Sequence, residues 1–117
     1  MALKFNDEAR NARILSVGAY RPKRVVPNSE IVDKIDSSDE WIQQRTGIVT
    51  RHFADENESL IDMTVKACEI AIKRAGLKPS DIDAVIFATI SYPYQAPSAA
   101  TELIARLDTP HAAAFDI

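Results

Sequence analysis

The clearest hydrophobic pattern in the chain lies over residues 60–75, where Asp62, Lys66, Glu69 and Lys73 fall on one narrow stripe and nearly every other position is apolar. This spacing predicts a helix, opened by Ser59 and stopped by Gly76, with Pro79 just beyond. Asp62 with Lys66, and Glu69 with Lys73, are acid-before-base pairs at i, i+4, the favourable order on a helix. A helix with so thin a polar edge must be covered on most of its sides. That requirement implies a layered fold larger than a two-layer sandwich of this length supplies.

The other elements follow from shorter patterns. Residues 1–11 read as a polar lead-in, and residues 12–20 carry the β-branched and apolar content of a strand. Residues 21–27 read as a connection fenced by Pro22 and Pro27. Asn28 is placed to cap a short helix through Ile35, with Ile31, Val32 and Ile35 on its inner stripe. Ser37 and Glu40 form an S-x-x-E capping box for the next helix, which Gly47 closes. Residues 48–53 alternate weakly, as in a hairpin or edge strand. Residues 84–90 are apolar on both faces, as in a central strand with helices above and below. Pro97 can sit in the first turn of a helix reaching about Leu107, with Ala100, Leu103, Ile104 and Leu107 inward. Asp108, Thr109 and Pro110 then turn the chain into a last strand over 112–117. Strands alternating with helices call for an α/β fold with right-handed crossovers.

Composition narrows the function more by exclusion than by suggestion. A chain of 117 residues, 46% hydrophobic and 26% charged, is ordinary for one globular domain or part of one. Its net charge of −3, with the basic residues scattered, leaves no footprint for nucleic acid or an anionic membrane. Arg21, Lys23 and Arg24 are the nearest approach to a basic cluster, and such a group usually marks a solvated turn. The first ten residues carry charges and no apolar run, and no later segment approaches a membrane span, so a cytoplasmic protein is expected. One cysteine and two distant histidines, His52 and His111, provide neither a disulfide nor a zinc-type ligand spacing. No metal is expected.

The strongest candidate for chemistry is the segment from Ser37 to Ile48. It places the only tryptophan, Trp41, four residues before Arg45, on one face of the predicted helix. Indole is a good stacking platform, and guanidinium both stacks and donates hydrogen bonds to ring nitrogens or phosphates. Together they could seat a nucleotide base. The plainer alternative is a surface pair with Arg45 lying over Trp41, and a capping role by itself accounts for Ser37.

This segment, followed by Arg51, resembles the DEW…RTGI signature near the start of 3-oxoacyl-[acyl-carrier-protein] synthase III, the condensing enzyme that begins type II fatty-acid synthesis. The same family order contains the long helix followed by Gly76-Leu77-x-Pro79-x-Asp81-Ile82-Asp83, the apolar strand, Pro97-Ser98-Ala99-Ala100, and Ala114-Phe115-Asp116. Each motif is weak singly, and the set is specific. It covers residues 12–117.

The resemblance implies the N-terminal portion of a thiolase-like fold, a layered α/β arrangement with a mixed sheet and a buried helix. It implies that Trp41 stacks on the adenine of coenzyme A while Arg45 and the Ser37 hydroxyl contact the same nucleotide. Many relatives carry threonine where this chain has Ser37, and the hydroxyl chemistry survives that change. Acyl-CoA is then a substrate, with no permanently bound cofactor. Malonyl-ACP, delivered by acyl carrier protein, is the second substrate, and a homodimer is expected.

The family's reactive cysteine follows the Phe-Asp-hydrophobic strand at a strand-to-helix turn, and its histidine and asparagine come later still. All three are expected downstream of Ile117, so this segment contributes no catalytic residue and is expected to be inactive alone. Cys68 is rejected as the nucleophile. It lies in the middle of the long helix, where burial raises a thiol pKa and no histidine is near in sequence. His52 and His111 match none of the family's catalytic positions and read as surface or strand residues.

The loop 91–97 leaves the buried strand at the functional rim of an α/β sheet. By resemblance, this region meets the partner subunit, and a residue at the position of Ala96 enters the neighbour's acyl pocket. Several relatives are bulkier there, so alanine hints at room for more than acetyl and leaves primer length open. Two other readings remain. One is a related thiolase-fold synthase serving polyketide or quinolone starter chemistry, and the other is a non-catalytic fragment or interaction module.

Overall fold

The computed structural model describes residues 12–91 and 95–117. The polar lead-in predicted over 1–11, and the middle of the 91–97 loop, lie outside the described residues.

Among the described residues four strands and three α-helices alternate: β1 (Arg24–Pro27), α1 (Asp39–Thr46), β2 (Thr50–Phe53), α2 (Leu60–Ala75), β3 (Ala84–Phe87), α3 (Ala99–Arg106) and β4 (Ala113–Asp116). The strands form two separate pairs. β1 runs antiparallel to β2, with Arg24 opposite Phe53 and Pro27 opposite Thr50. β3 runs parallel to β4, with Ala84 opposite Ala113 and Phe87 opposite Asp116, and α3 makes the crossover between them.

The core lies between this parallel pair and two helices. Alternation turns Val85, Phe87 and Ala114 toward Ile61 and Val65 of α2 and toward Ala99, Ala100, Leu103 and Leu107 of the α3 segment. Leu103 is 1% exposed and Ala100 fully buried. The small side chains at Ala99 and Ala100 let the helix start close against the strand ends.

The opposite face of the pair is open, with Ile86 58% and Phe115 45% exposed. The expected cover by helices on both faces is therefore present on one face only among the described residues. β3 also ends at Phe87, three residues before the predicted limit, although backbone bonds to the last residue continue past it, from the Ile117 amide to the Phe87 carbonyl at 3.0 Å and from the Thr89 amide to the Ile117 carbonyl at 3.3 Å.

α2 has the predicted bounds. Ser59 Oγ accepts from the Asp62 amide, and the Asp62 carboxylate accepts from the Ser59 amide, a reciprocal capping box. Gly76 ends the helix at φ 69°, in the left-handed region open to glycine.

Several local expectations are corrected. Residues 12–20 form no strand. They run across α2, held by a hydrogen bond from Ser16 Oγ to the Ala71 carbonyl (2.6 Å) and one from Arg74 to the Val17 carbonyl (3.0 Å). Gly18 is seated so close to the α2 backbone at Ala67 and Ala71 that a side chain would collide with it. The expected connection over 21–27 contains β1, whose proline at its end spoils no ladder interior. The short helix expected from Asn28 is a pair of 3₁₀ turns, Asn28–Glu30 and Val32–Lys34, and Asn28 caps neither. Ser38, not Ser37, is the N-cap of α1, so the Ser37–Glu40 capping box does not form. Pro97 precedes α3, whose N-cap is Ser98.

Candidate functional site

α1 is short and polar, and its two ends set its position. Ser38 Oγ accepts from the Trp41 amide at 3.1 Å, and Gly47 at φ 70° closes the last turn. Asp39 and Glu40 in the first turn and Arg45 in the last complement the helix dipole. Ile42 is the one buried side chain on the helix, so Trp41 beside it is directed outward and is 55% exposed.

The guanidinium carbon of Arg45 lies 5.8 Å from the centre of the Trp41 ring, within cation–π range. Both the surface-pair reading and the base-seat reading contain this contact. Ser37 adds a second observation. Because Ser38 does the capping, capping no longer accounts for Ser37, whose hydroxyl is buried without a hydrogen-bond partner. Ser37 and Trp41 line one hollow of about 470 Å³ with Ile35, Asp36, Ser38 and Ile42. Arg45, though over the Trp41 ring, does not itself line this hollow. An exposed aromatic wall can accept a flat heteroaromatic ring with polar edges.

Beneath α1 lies a polar node that the sequence reading missed. Asn28, 1% exposed, donates from its amide nitrogen to Asp39 Oδ1 at 2.6 Å and to the Ile48 carbonyl at 2.8 Å. Its amide oxygen accepts from Arg51 at 2.6 Å. Gln43 donates to both Asp39 oxygens at 2.9 Å. These bonds from Gln43 and Asn28 hold the Asp39 carboxyl below its ordinary pKa. Nothing local to Asn28 announces this node, since its partners are 11 to 23 residues away.

Ala96 is not brought to this hollow. It lies exposed on the bend before α3, whose first turn is capped from another strand: the Asp116 carboxylate accepts from the Ala99 amide at 2.7 Å and from the Ala100 amide at 2.8 Å.

A second hollow, of about 550 Å³, contains charges of both signs, several of them already paired. Tyr20 donates to Glu58, Lys66 reaches Glu58 at 2.7 Å, and Arg106 reaches Asp62 at 2.8 Å. Lys23 and Arg24, from the basic group noted in the sequence, line the same hollow. Arg24 is itself engaged with Glu30 at 2.8 Å and lies over Phe53.

Cys68 packs against the core, and burial pushes its thiol pKa up, the opposite of what a nucleophile needs. His52 in β2 donates to the Pro22 carbonyl, and His111 is exposed in the turn before β4. No nucleophile–base pair is assembled among the described residues. Among them, no helix is long and apolar enough to cross a membrane.

Known proteins resemble the chain throughout its length. It is 51% identical over 115 residues to the beta-ketoacyl-[acyl-carrier-protein] synthase III 1 of Streptomyces avermitilis, an alignment covering 98% of this chain and 32% of that protein. The crystal structure of 3-oxoacyl-[acyl-carrier-protein] synthase III from Aquifex aeolicus superposes with a TM-score of 0.84 at 37% identity, covering 92% of this chain and 34% of that one. The priming beta-ketosynthase of the R1128 polyketide pathway gives a TM-score of 0.84 at 38% identity, covering 90% and 31%. No family model matches the chain. The chain spans about a third of the length of the relatives it matches. Over that span it is similar to the synthase III enzymes and has their thiolase-like α/β fold.

Proposed function

We propose that this chain is the N-terminal portion of a condensing enzyme that initiates fatty-acid synthesis, and that its part in the reaction is to hold the nucleotide end of acyl-CoA. Trp41 stacks on the adenine, Arg45 lies beside it as cation and hydrogen-bond donor, and Ser37 supplies a hydroxyl to the same nucleotide. The observation that carries the reading is the exposed indole of Trp41, which has the Arg45 guanidinium over its ring and lines a hollow together with Ser37, whose buried hydroxyl no protein atom uses.

In the complete enzyme, a cysteine thiolate outside this chain attacks the thioester carbonyl and coenzyme A leaves as its thiolate. Malonyl-ACP then loses carbon dioxide, and the resulting enolate carbon attacks the acyl-cysteine, releasing the thiolate and forming the 3-oxoacyl product. Neutral donors stabilise the developing oxyanions. The covalent chemistry belongs to residues outside this chain. Holding the nucleotide fixes where the thioester carbonyl arrives, which is the entropic part of the first step.

The test is Trp41→Ala in the complete enzyme. Stacking a base on an aromatic ring is worth about 1–3 kcal/mol, so the apparent affinity for acyl-CoA falls by about 5- to 150-fold with the fold retained. Equal affinity in variant and wild type would reject the stacking role.

A second reading, a synthase that starts polyketide chains, is favoured by the small side chain at Ala96 and by the likeness to a priming ketosynthase. Competition between acetyl-CoA and longer or branched acyl-CoAs separates the two. Preference for acetyl-CoA supports the fatty-acid reading.

A further inference from the structure

We propose that Asn28 is the positioning residue for the nucleotide seat, setting the roll of α1 and so the direction in which Trp41 and Arg45 face. The inference rests on the reading of that seat given above.

Its ground is the way α1 is held. An eight-residue helix is about 12 Å long and buries a single side chain, Ile42. One apolar anchor sets how deep the helix lies and does little to stop it turning about its own axis. Asn28 supplies the missing restraint. From one buried side chain it grips Asp39, the first residue of α1, Ile48, just past its C-cap, and Arg51 on β2. Its own amide donates to the Val49 carbonyl at 3.3 Å. Both ends of the helix are thereby tied to one buried side chain in the turn that follows β1. With side-chain tips about 5–6 Å from a helix axis, a roll of about 20° would carry the indole about 2 Å sideways, enough to lose stacking registry.

The site has no reserve. Arg51 meets the Asn28 oxygen with one terminal nitrogen, and its other is buried without a partner. Asp39 is engaged entirely by amide donors, from Asn28 and Gln43. A carboxylate at position 28 would face Asp39 with like charge and could not donate to the Ile48 carbonyl; exchanging the two groups restores the donor–acceptor pair with position 39 and gives Arg51 an anion, but leaves the tie to Ile48 broken.

The experiment compares Asn28→Asp, Asn28→Ala and the double variant Asn28→Asp/Asp39→Asn in the complete enzyme, with Trp41→Ala as reference. The readouts are the dissociation constant of coenzyme A by calorimetry and the KM values for acyl-CoA and malonyl-ACP. The expected result is about a tenfold weaker coenzyme A complex for Asn28→Asp, the scale of one lost hydrogen bond to a charged group. The KM for acyl-CoA rises in step. The KM for malonyl-ACP stays unchanged, because the carrier's pantetheine arm bears no adenine. The double variant, which regains the tie to position 39 but not the one to Ile48, binds coenzyme A at least about threefold more tightly than Asn28→Asp without reaching wild type, and it decides the matter if Asn28→Ala fails to fold.

The proposal is overturned if Asn28→Asp binds coenzyme A as wild type does while Trp41→Ala does not. It is equally overturned if both KM values move together, or if the double variant recovers nothing. Unchanged binding in Trp41→Ala itself would instead remove the underlying reading of the seat.

Discussion

Replacing Asp116 by alanine should open the start of α3 while leaving the rest of the fold closed. The side chain stands at the end of β4 and caps a helix 16 to 17 residues earlier, accepting from the amides of Ala99 and Ala100. Both residues are essentially inaccessible, at 1% and 0% exposure, so water does not readily replace the carboxylate. The N-cap, Ser98, makes no capping bond, and its hydroxyl is engaged with Thr101 at 2.8 Å. Two N–H groups thus depend on one side chain. Leaving a buried donor unsatisfied costs about 1–3 kcal/mol. Partial opening to water favours the low end, so Asp116→Ala should cost about 2–4 kcal/mol, which includes loss of the anion from the helix N-terminus. Asp116→Asn keeps one acceptor and should cost about half of that. The assay is native-state hydrogen exchange, in which 2–4 kcal/mol of local stability corresponds to exchange about 30- to 1,000-fold faster. The loss should be confined to the first turn of α3 and the Gln95–Pro97 bend, with the β1–β2 pair protected as before. Protection at Ala99 and Ala100 within threefold of wild type, or a loss spread evenly over the chain, would refute the cross-strand cap.

Two further outcomes follow from the packing and the charges. A Cβ at Gly18 would meet the backbone of α2 at Ala67 and Ala71, atoms that cannot rotate away, so Gly18→Ala should destabilise by about 2–3 kcal/mol. Thermal unfolding checks this, and an unchanged midpoint would mean that residues 12–20 do not press on α2. Asp39, Glu58 and Asp62 all have folded pKa values below their ordinary values of 3.8, 4.5 and 3.8, held down chiefly by hydrogen bonds from Gln43, Lys66 and Ser59 respectively. A depressed carboxylate contributes stability that is fully present above its unfolded pKa and is lost as pH falls through the folded one. The unfolding midpoint should therefore hold through neutral pH and fall progressively below about pH 5. Asp62→Asn should flatten that fall, and an acid limb equally steep in variant and wild type would show that Asp62 plays no part in it.

Legibility in the sequence followed the range of the interactions. α2 was readable to its ends because its bounds depend on contacts three or four residues apart: Ser59 with Asp62 at the start, Gly76 at the end. The inner face of α3, with Leu103 and Leu107 buried, was readable from spacing for the same reason. The candidate site was readable in part. Trp41 and Arg45 lie where helical spacing places them, and the cation–π contact forms. The capping role read for Ser37 was wrong, because either of two adjacent serines satisfies a local capping rule and the structure places the cap at Ser38.

What the chain determined by itself was therefore the three α-helices, the apolar strand that holds Phe87, and the helical spacing that brings Arg45 over Trp41. Tertiary structure alone decided that residues 12–20 lie across a helix instead of pairing in a sheet, that Asn28 ties α1 to the β1–β2 pair, and that Asp116 caps a helix from another strand. The physical reason is common to all three. A backbone or side-chain group seeks whichever partner is nearest once the chain has closed, and for these groups that partner is 11 to 55 residues away, where no local spacing rule reaches.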